Sequence, residues 1–136
     1  MKFVSFTNNN SDGFGTIADG KITDLTGKID GAKTLRQLIE NDAIAQATAY
    51  ANSNPSNIDS NAVTFLPVIP DPGKIICVGL NYHDHVNETG RTLEENPCIF
   101  QRYPDSQTGQ GQPIIRPIVS TNLDFEAEMA VIMGGG

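Results

Sequence analysis

Tryptophan is absent from this chain of 136 residues, and lysine and arginine together number only nine. Sixteen aspartates and glutamates leave a formal charge of −7. With no basic stripe, neither a nucleic-acid backbone nor an anionic membrane surface finds its counter-charge here. Cysteine is scarce as well. Cys77 and Cys98 are too few for a disulfide framework, and Cys77, inside an apolar run, reads as a buried free thiol. A reducing cytoplasm is the expected compartment. No apolar run approaches the roughly 18 residues of a membrane span. The start, Met1-Lys2-Phe3-Val4-Ser5-Phe6, turns polar too soon for a signal-peptide core. Thirteen glycines and eight prolines stay well under the roughly 25–30% of low-complexity chains. There is no internal repeat, no Gly-x-Ser-x-Gly elbow and no phosphate loop. Gly109-Gln110-Gly111-Gln112-Pro113 lacks the Gly-Lys-Ser/Thr ending that a phosphate loop needs.

What is present divides near residue 62. Residues 1–70 hold five basic and seven acidic groups, and residues 71–136 hold four and nine, so the acid excess sits in the second half. Met1–Phe6 alternates as a strand. Phe14–Ile17 and Lys21–Leu25 flank Asp19-Gly20, a strong hairpin signal. Thr34-Leu35-Arg36-Gln37 fits a capping box, with Leu35, Leu38 and Ile39 at helical spacing behind it. Asn41-Asp42 breaks that helix, and Ala43–Ala51 starts another. Residues 52–61 read as a linker. Further on, Lys74–Leu80, Cys98–Arg102, Ile114–Ile118 and Leu123–Met133 are expected strands. The polar segment between His83 and Asn96 is a loop or short helix. The fold class is therefore α+β, with a small N-terminal α/β domain over residues 1–62 and a second domain over 63–136.

Three constellations could carry chemistry. In a strand, Asp124, Glu126 and Glu128 share one face while Phe125, Ala127 and Met129 take the other. Crowded carboxylates repel unless a cation sits among them, and all-oxygen donors suit Mg²⁺, Mn²⁺ or Ca²⁺. The same pattern also suits a solvated edge strand. His85 and Glu88 stand i, i+3, on one face if helical. A carboxylate there would fix the imidazole tautomer and raise its basicity, as a general base requires. His83-x-His85 could instead hold a metal, or the segment could be a solvated loop. Arg102, after Ile99-Phe100, could face an anionic group or simply solvent.

In order along the chain, these pieces resemble the fumarylacetoacetate hydrolase family. The matching run is Pro72-Gly73-Lys74-Ile75-Ile76-Cys77-Val78-Gly79-Leu80-Asn81-Tyr82, then His85-x-x-Glu88, Pro97-x-x-Phe100-x-Arg102, Pro113-Ile114-x-x-Pro117 and Leu123–Ile132 around Asp124-Phe125-Glu126-Ala127-Glu128. The resemblance implies a mixed β-roll catalytic domain of which this chain holds the first strands. It also implies a divalent cation, Mg²⁺ or else Mn²⁺ or Ca²⁺, on Glu126 and Glu128. His85 and Glu88 would be the proton-moving dyad on a lid, with Arg102 and Ser106 in substrate binding. Arg102 stands where the family commonly has lysine. The implied reaction is C–C bond hydrolysis of a 2-oxo or dioxo acid, or decarboxylation, isomerisation or hydration within the same family. The full protein would be a homodimer. The chain stops at Gly134-Gly135-Gly136, ahead of the family's third carboxylate ligand, a substrate-binding lysine and most of the roll. The isolated chain is therefore expected to be nearly inactive as a truncated enzyme, or else to be a non-catalytic binding or assembly fragment that pairs with a separate chain carrying the C-terminal half.

Overall fold

The computed structural model describes residues 1–90 and 95–134, the side chains of His85 and Thr89 excepted. The chain divides into two units. The first comprises Met1–Pro70 with Thr108–Gly136, and the second is Asp71–Gln107.

The first unit is built on an antiparallel sheet. Strands β1 (Lys2–Asn8) and β2 (Ser11–Ala18) pair from Lys2↔Ile17 to Asn8↔Ser11. Asn9 and Asn10, at φ 48° and 63°, make the two-residue turn between them. Asparagine is among the few non-glycine residues that accept this left-handed geometry, and this turn went unread in the sequence. The expected Asp19-Gly20 turn joins β2 to β3 (Lys21–Asp24), with φ 49° and 72° and the pair Ala18↔Lys21 closing it. Successive residues of β2 face opposite sides, and both sides are covered. Phe14 is buried on one, while Gly13 and Gly15 on the other leave room for the Phe6 ring and the Ile22 side chain. A Cβ at Gly15 would also run into the Thr23 carbonyl, so the close strand approach requires glycine there.

Helix α1 (Leu35–Glu40) begins as expected at Thr34, whose Oγ1 accepts from the Gln37 N–H at 3.2 Å. The reciprocal bond reaches one residue further back than an ordinary capping box: Gln37 Oε1 accepts from the Lys33 N–H at 2.7 Å. Asp42, at φ 52°, turns the chain into α2 (Ile44–Ser53). Leu35 and Leu38 of α1 and Ala47 of α2 pack with Phe14, Leu25, Ile29, Ala32 and Ile69 in one core.

Part of the stretch expected as a linker is sheet instead. Ile58–Asp59 forms β4, paired with β3 through Lys21↔Asp59 and Ile22↔Ile58. Bonds to β3 hold the polar segment in place: the Thr23 and Ser56 hydroxyls meet at 2.8 Å, and the Asn57 backbone N–H donates to the Ile22 carbonyl at 3.2 Å. β5 (Thr64–Phe65) then pairs with β1, giving the strand order β4-β3-β2-β1-β5.

Asp59 is tied from two directions. It accepts from the Asn61 backbone N–H at 2.9 Å and from Lys21 Nζ at 2.9 Å. Those bonds, the backbone one foremost, hold its carboxyl below the ordinary value near 3.8. A lowered native pKa means that the unfolded chain takes up its proton first as pH falls. The contribution of Asp59 is thus complete above pH 3.8 and fades as pH drops through the lower native value. Asp59→Asn is expected to flatten that part of the acid limb and leave neutral-pH stability little changed, because the pair is on the surface. Urea midpoints taken from pH 2 to 7 check this.

The second unit is a two-stranded antiparallel ribbon of β6 (Ile75–Gly79) and β7 (Cys98–Arg102), with helix α3 (His83–Thr89) between them in sequence. Gly90, at φ 64°, ends α3. The described elements are thus helices with antiparallel sheets, as an α+β chain requires. Two expected strands do not form. Residues 113–134 contain no regular secondary structure. A strand needs a neighbour for its ladder hydrogen bonds and a cover for its apolar face. Neither is supplied among the described residues, and Ile115 and Ile118 are 90% and 99% exposed.

Candidate functional site

The two dyad positions lie on α3. The helix starts beyond a sharp corner, where the ribbon strand β6 ends and Leu80 takes φ 55°. A bulky side chain in the left-handed region is an outlier, and no local residue pattern announces it. Backbone strain of this kind clusters at functional sites. Val86 of α3 is buried, and its N–H bonds the Tyr82 carbonyl at 3.1 Å. With Val86 turned inward, Asp84, Asn87 and Glu88 are exposed. Position 85 lies three before Glu88 on the same helix, at the spacing of neighbours on one face. The His85 side chain lies outside the described residues, so its pairing with Glu88 remains an expectation. His83 is exposed in the first turn.

Arg102 ends β7, opposite Ile75, with its side chain exposed. Four residues on, Ser106 sits in the 3₁₀ turn Pro104–Ser106, where its hydroxyl donates to the Tyr103 carbonyl at 2.7 Å. A substrate would have to replace that local bond or share the oxygen. Glu126 and Glu128 are exposed in the extended stretch after Leu123. Asp124 turns its carboxylate back to accept from the Phe125 N–H at 2.9 Å.

The donor chemistry of Glu126 and Glu128 suits a hard divalent cation. Among the described residues, no group of three or more His, Cys, Asp and Glu side chains is gathered to hold one. A cleft of about 120 Å³ in the first unit is lined by Val4, Ser5, Phe65–Val68, Thr108 and Gln110. It contains none of the six candidates and is smaller than the roughly 300–1,000 Å³ of a small-molecule site.

These elements define a mixed α/β protein whose six candidate residues all fall after residue 74. Residues 74–136 match the model of the fumarylacetoacetate hydrolase C-terminal domain. Rat mitochondrial oxaloacetate tautomerase Fahd2a is 38% identical over 104 residues, which are 75% of this chain and 33% of the rat protein. The fumarylacetoacetate hydrolase domain-containing protein 2 homologue of Dictyostelium discoideum is 39% identical over 47% of this chain and 21% of its own length. Among solved structures, a Mycobacterium smegmatis protein assigned to HpcE superposes with a TM-score of 0.62. That match has 21% identity over 84% of this chain and 40% of the other, a likeness of fold. Residues 74–136 are thus similar to the fumarylacetoacetate hydrolase family. It spans a fifth to a third of the length of these curated relatives.

No helix among the described residues is long and apolar enough to cross a membrane.

Proposed function

We propose that this chain forms part of a divalent-cation-dependent enzyme that interconverts the keto and enol forms of a small 2-oxo diacid such as oxaloacetate. One observation carries the reading. All six candidate residues, in family order, lie inside the stretch that matches the family model, and the similar proteins of rat, frog and human are named oxaloacetate tautomerases. The division into a leading domain (1–62) and a catalytic part (63–136) belongs to this proposal. So does the covering of the exposed apolar residues 114–133 by further β-roll strands, from the same polypeptide or a second chain. The working enzyme is read as a homodimer. Both cysteines are free, which suits the cytoplasm or another reducing compartment. The rat relative's own name places that protein in mitochondria.

In this reading, Glu88 holds the His85 imidazole in the tautomer whose free nitrogen accepts a proton from the carbon next to the 2-oxo group. The proton returns to oxygen or carbon as the tautomer formed requires. Arg102 takes a substrate carboxylate as a planar two-pronged donor, a different grip from lysine's point charge. The Ser106 hydroxyl, already oriented on Tyr103, orders a second substrate oxygen. Glu126 and Glu128 would hold the divalent cation, whose chemistry is to lower the cost of negative charge growing on the 2-oxo oxygen.

A second reading is C–C hydrolysis, with the dyad activating water. The family model's own name favours it. The native assembly is assayed with Mg²⁺ by following the ultraviolet absorbance of the enol, and in parallel for release of two acids from a 2,4-dioxo acid. Enol exchange above the uncatalysed rate is expected, falling roughly 10²–10⁴-fold in Glu88→Gln. Acid release without exchange would move the assignment to hydrolysis, and neither activity would overturn both.

A further inference from the structure

The ribbon register brings together two groups that the proposed chemistry does not use. Cys77 stands opposite Phe100, and Gly79 stands opposite Cys98. Directly paired residues of an antiparallel ribbon share a face, as do residues two apart along a strand. Cys77, Gly79, Cys98 and Phe100 therefore lie on one face, with the two cysteines on its diagonal. Nothing fills the corner between them at position 79, because glycine has no side chain. A Cβ built there would lie 3.4 Å from Cys98 Sγ and 3.5 Å from Cys98 Cβ, in van der Waals contact, so the Cys98 sulfur lies beside position 79. Cys98 is exposed, and Cys77 is half-buried rather than buried as its apolar run suggests.

Diagonal neighbours on such a ribbon have Cα atoms about 7–8 Å apart. A disulfide tolerates at most about 7 Å without backbone movement, so this pair is poorly placed to oxidise directly. An ion between the sulfurs lengthens the reach. Thiolate pairs select soft cations, and zinc asks for four ligands. Among the described residues, no third His, Cys, Asp or Glu joins such a group. A cation content with two sulfurs fits best.

We infer that Cys77 and Cys98 form a two-coordinate site for Cu(I) on one face of the β6–β7 ribbon. On binding, each thiol releases its proton to water and forms one S–Cu bond. Copper remains Cu(I), and nothing is oxidised. The site is separate from the hard-cation carboxylates, since oxygen donors and sulfur donors sort the two ions by softness.

The test is an anaerobic titration of the reduced protein with Cu(I) against a colorimetric Cu(I) chelator. About one ion per chain is expected. Holding the ion with a second sulfur on the same ribbon makes the second bond intramolecular, a gain of roughly 10²–10⁴. Cys98→Ser and Cys77→Ser should each therefore weaken binding at least about 100-fold. Cys98 is exposed, so Cys98→Ser keeps the fold and decides the matter even if Cys77→Ser misfolds. Wild-type affinity in Cys98→Ser, or two independent ions per chain with one lost in each variant, would overturn the site.

Discussion

Leu38→Ala is expected to remove about 2–5 kcal/mol from the stability of the first unit. The residue is fully buried, in a cluster with Phe14, Leu25, Ile29, Ala32, Leu35, Ala47 and Ile69. Alanine is the better helix former of the two, so α1 itself gains slightly from the change. The whole loss must come from departed contacts and the space they leave. Small domains hold only about 5–15 kcal/mol in total, which makes this substitution a large part of the reserve. A control on the same helix separates packing from helix formation. Glu40 is exposed and pairs with Arg36 across one turn at 2.7 Å, so Glu40→Ala should change stability by no more than about 1 kcal/mol. Urea unfolding followed by far-ultraviolet circular dichroism measures both. Equal, small effects would mean that α1 is not seated in this core.

The elements that could be read in advance are those whose cause lies within a few residues. Thr34 caps α1 through Gln37, Asp19-Gly20 turns the β2–β3 hairpin, and Asp42 breaks the helices, all from local chemistry. The failures have distant causes. Ile58–Asp59 looked like linker because its composition is polar, yet its edge is fixed by Lys21 and Ile22, more than thirty residues away. Residues 114–118 and 123–133 have strand alternation and no strand. Alternation records which face a segment would bury, and the burial itself needs a partner. The same limit governs the site. His85-x-x-Glu88 was legible as a helical spacing, and both positions lie on α3. The left-handed Leu80 that precedes it has no local signature, because leucine avoids that conformation unless the surrounding structure holds it there.

Alternation and family pattern disagree about the acidic stretch, and the disagreement can be measured. Strand geometry would put Asp124, Glu126 and Glu128 on one face and make all three equal candidates for a cation. The family pattern assigns only Glu126 and Glu128. The structure gives Asp124 a local task, since its carboxylate accepts from the next backbone N–H, Phe125, at 2.9 Å. A carboxylate held that way offers one oxygen fewer to a metal. In the native assembly, Glu126→Ala and Glu128→Ala are each expected to weaken Mg²⁺ or Mn²⁺ binding by more than the roughly 10–100-fold seen when a ligand's supporting partner is lost. Turnover should fall by about 10²–10³, the scale of removing one stabiliser of a developing oxyanion. Asp124→Asn keeps the shape and an acceptor oxygen, and should leave cation affinity within a few-fold of wild type. Manganese titration by electron paramagnetic resonance reads affinity directly, so a variant that binds metal yet lacks activity is told apart from one that loses the ion. If Asp124→Asn matched the glutamate variants, the site would follow strand alternation with three carboxylates. If no variant changed cation affinity, the cation would lie elsewhere and Glu126 and Glu128 would be surface charge.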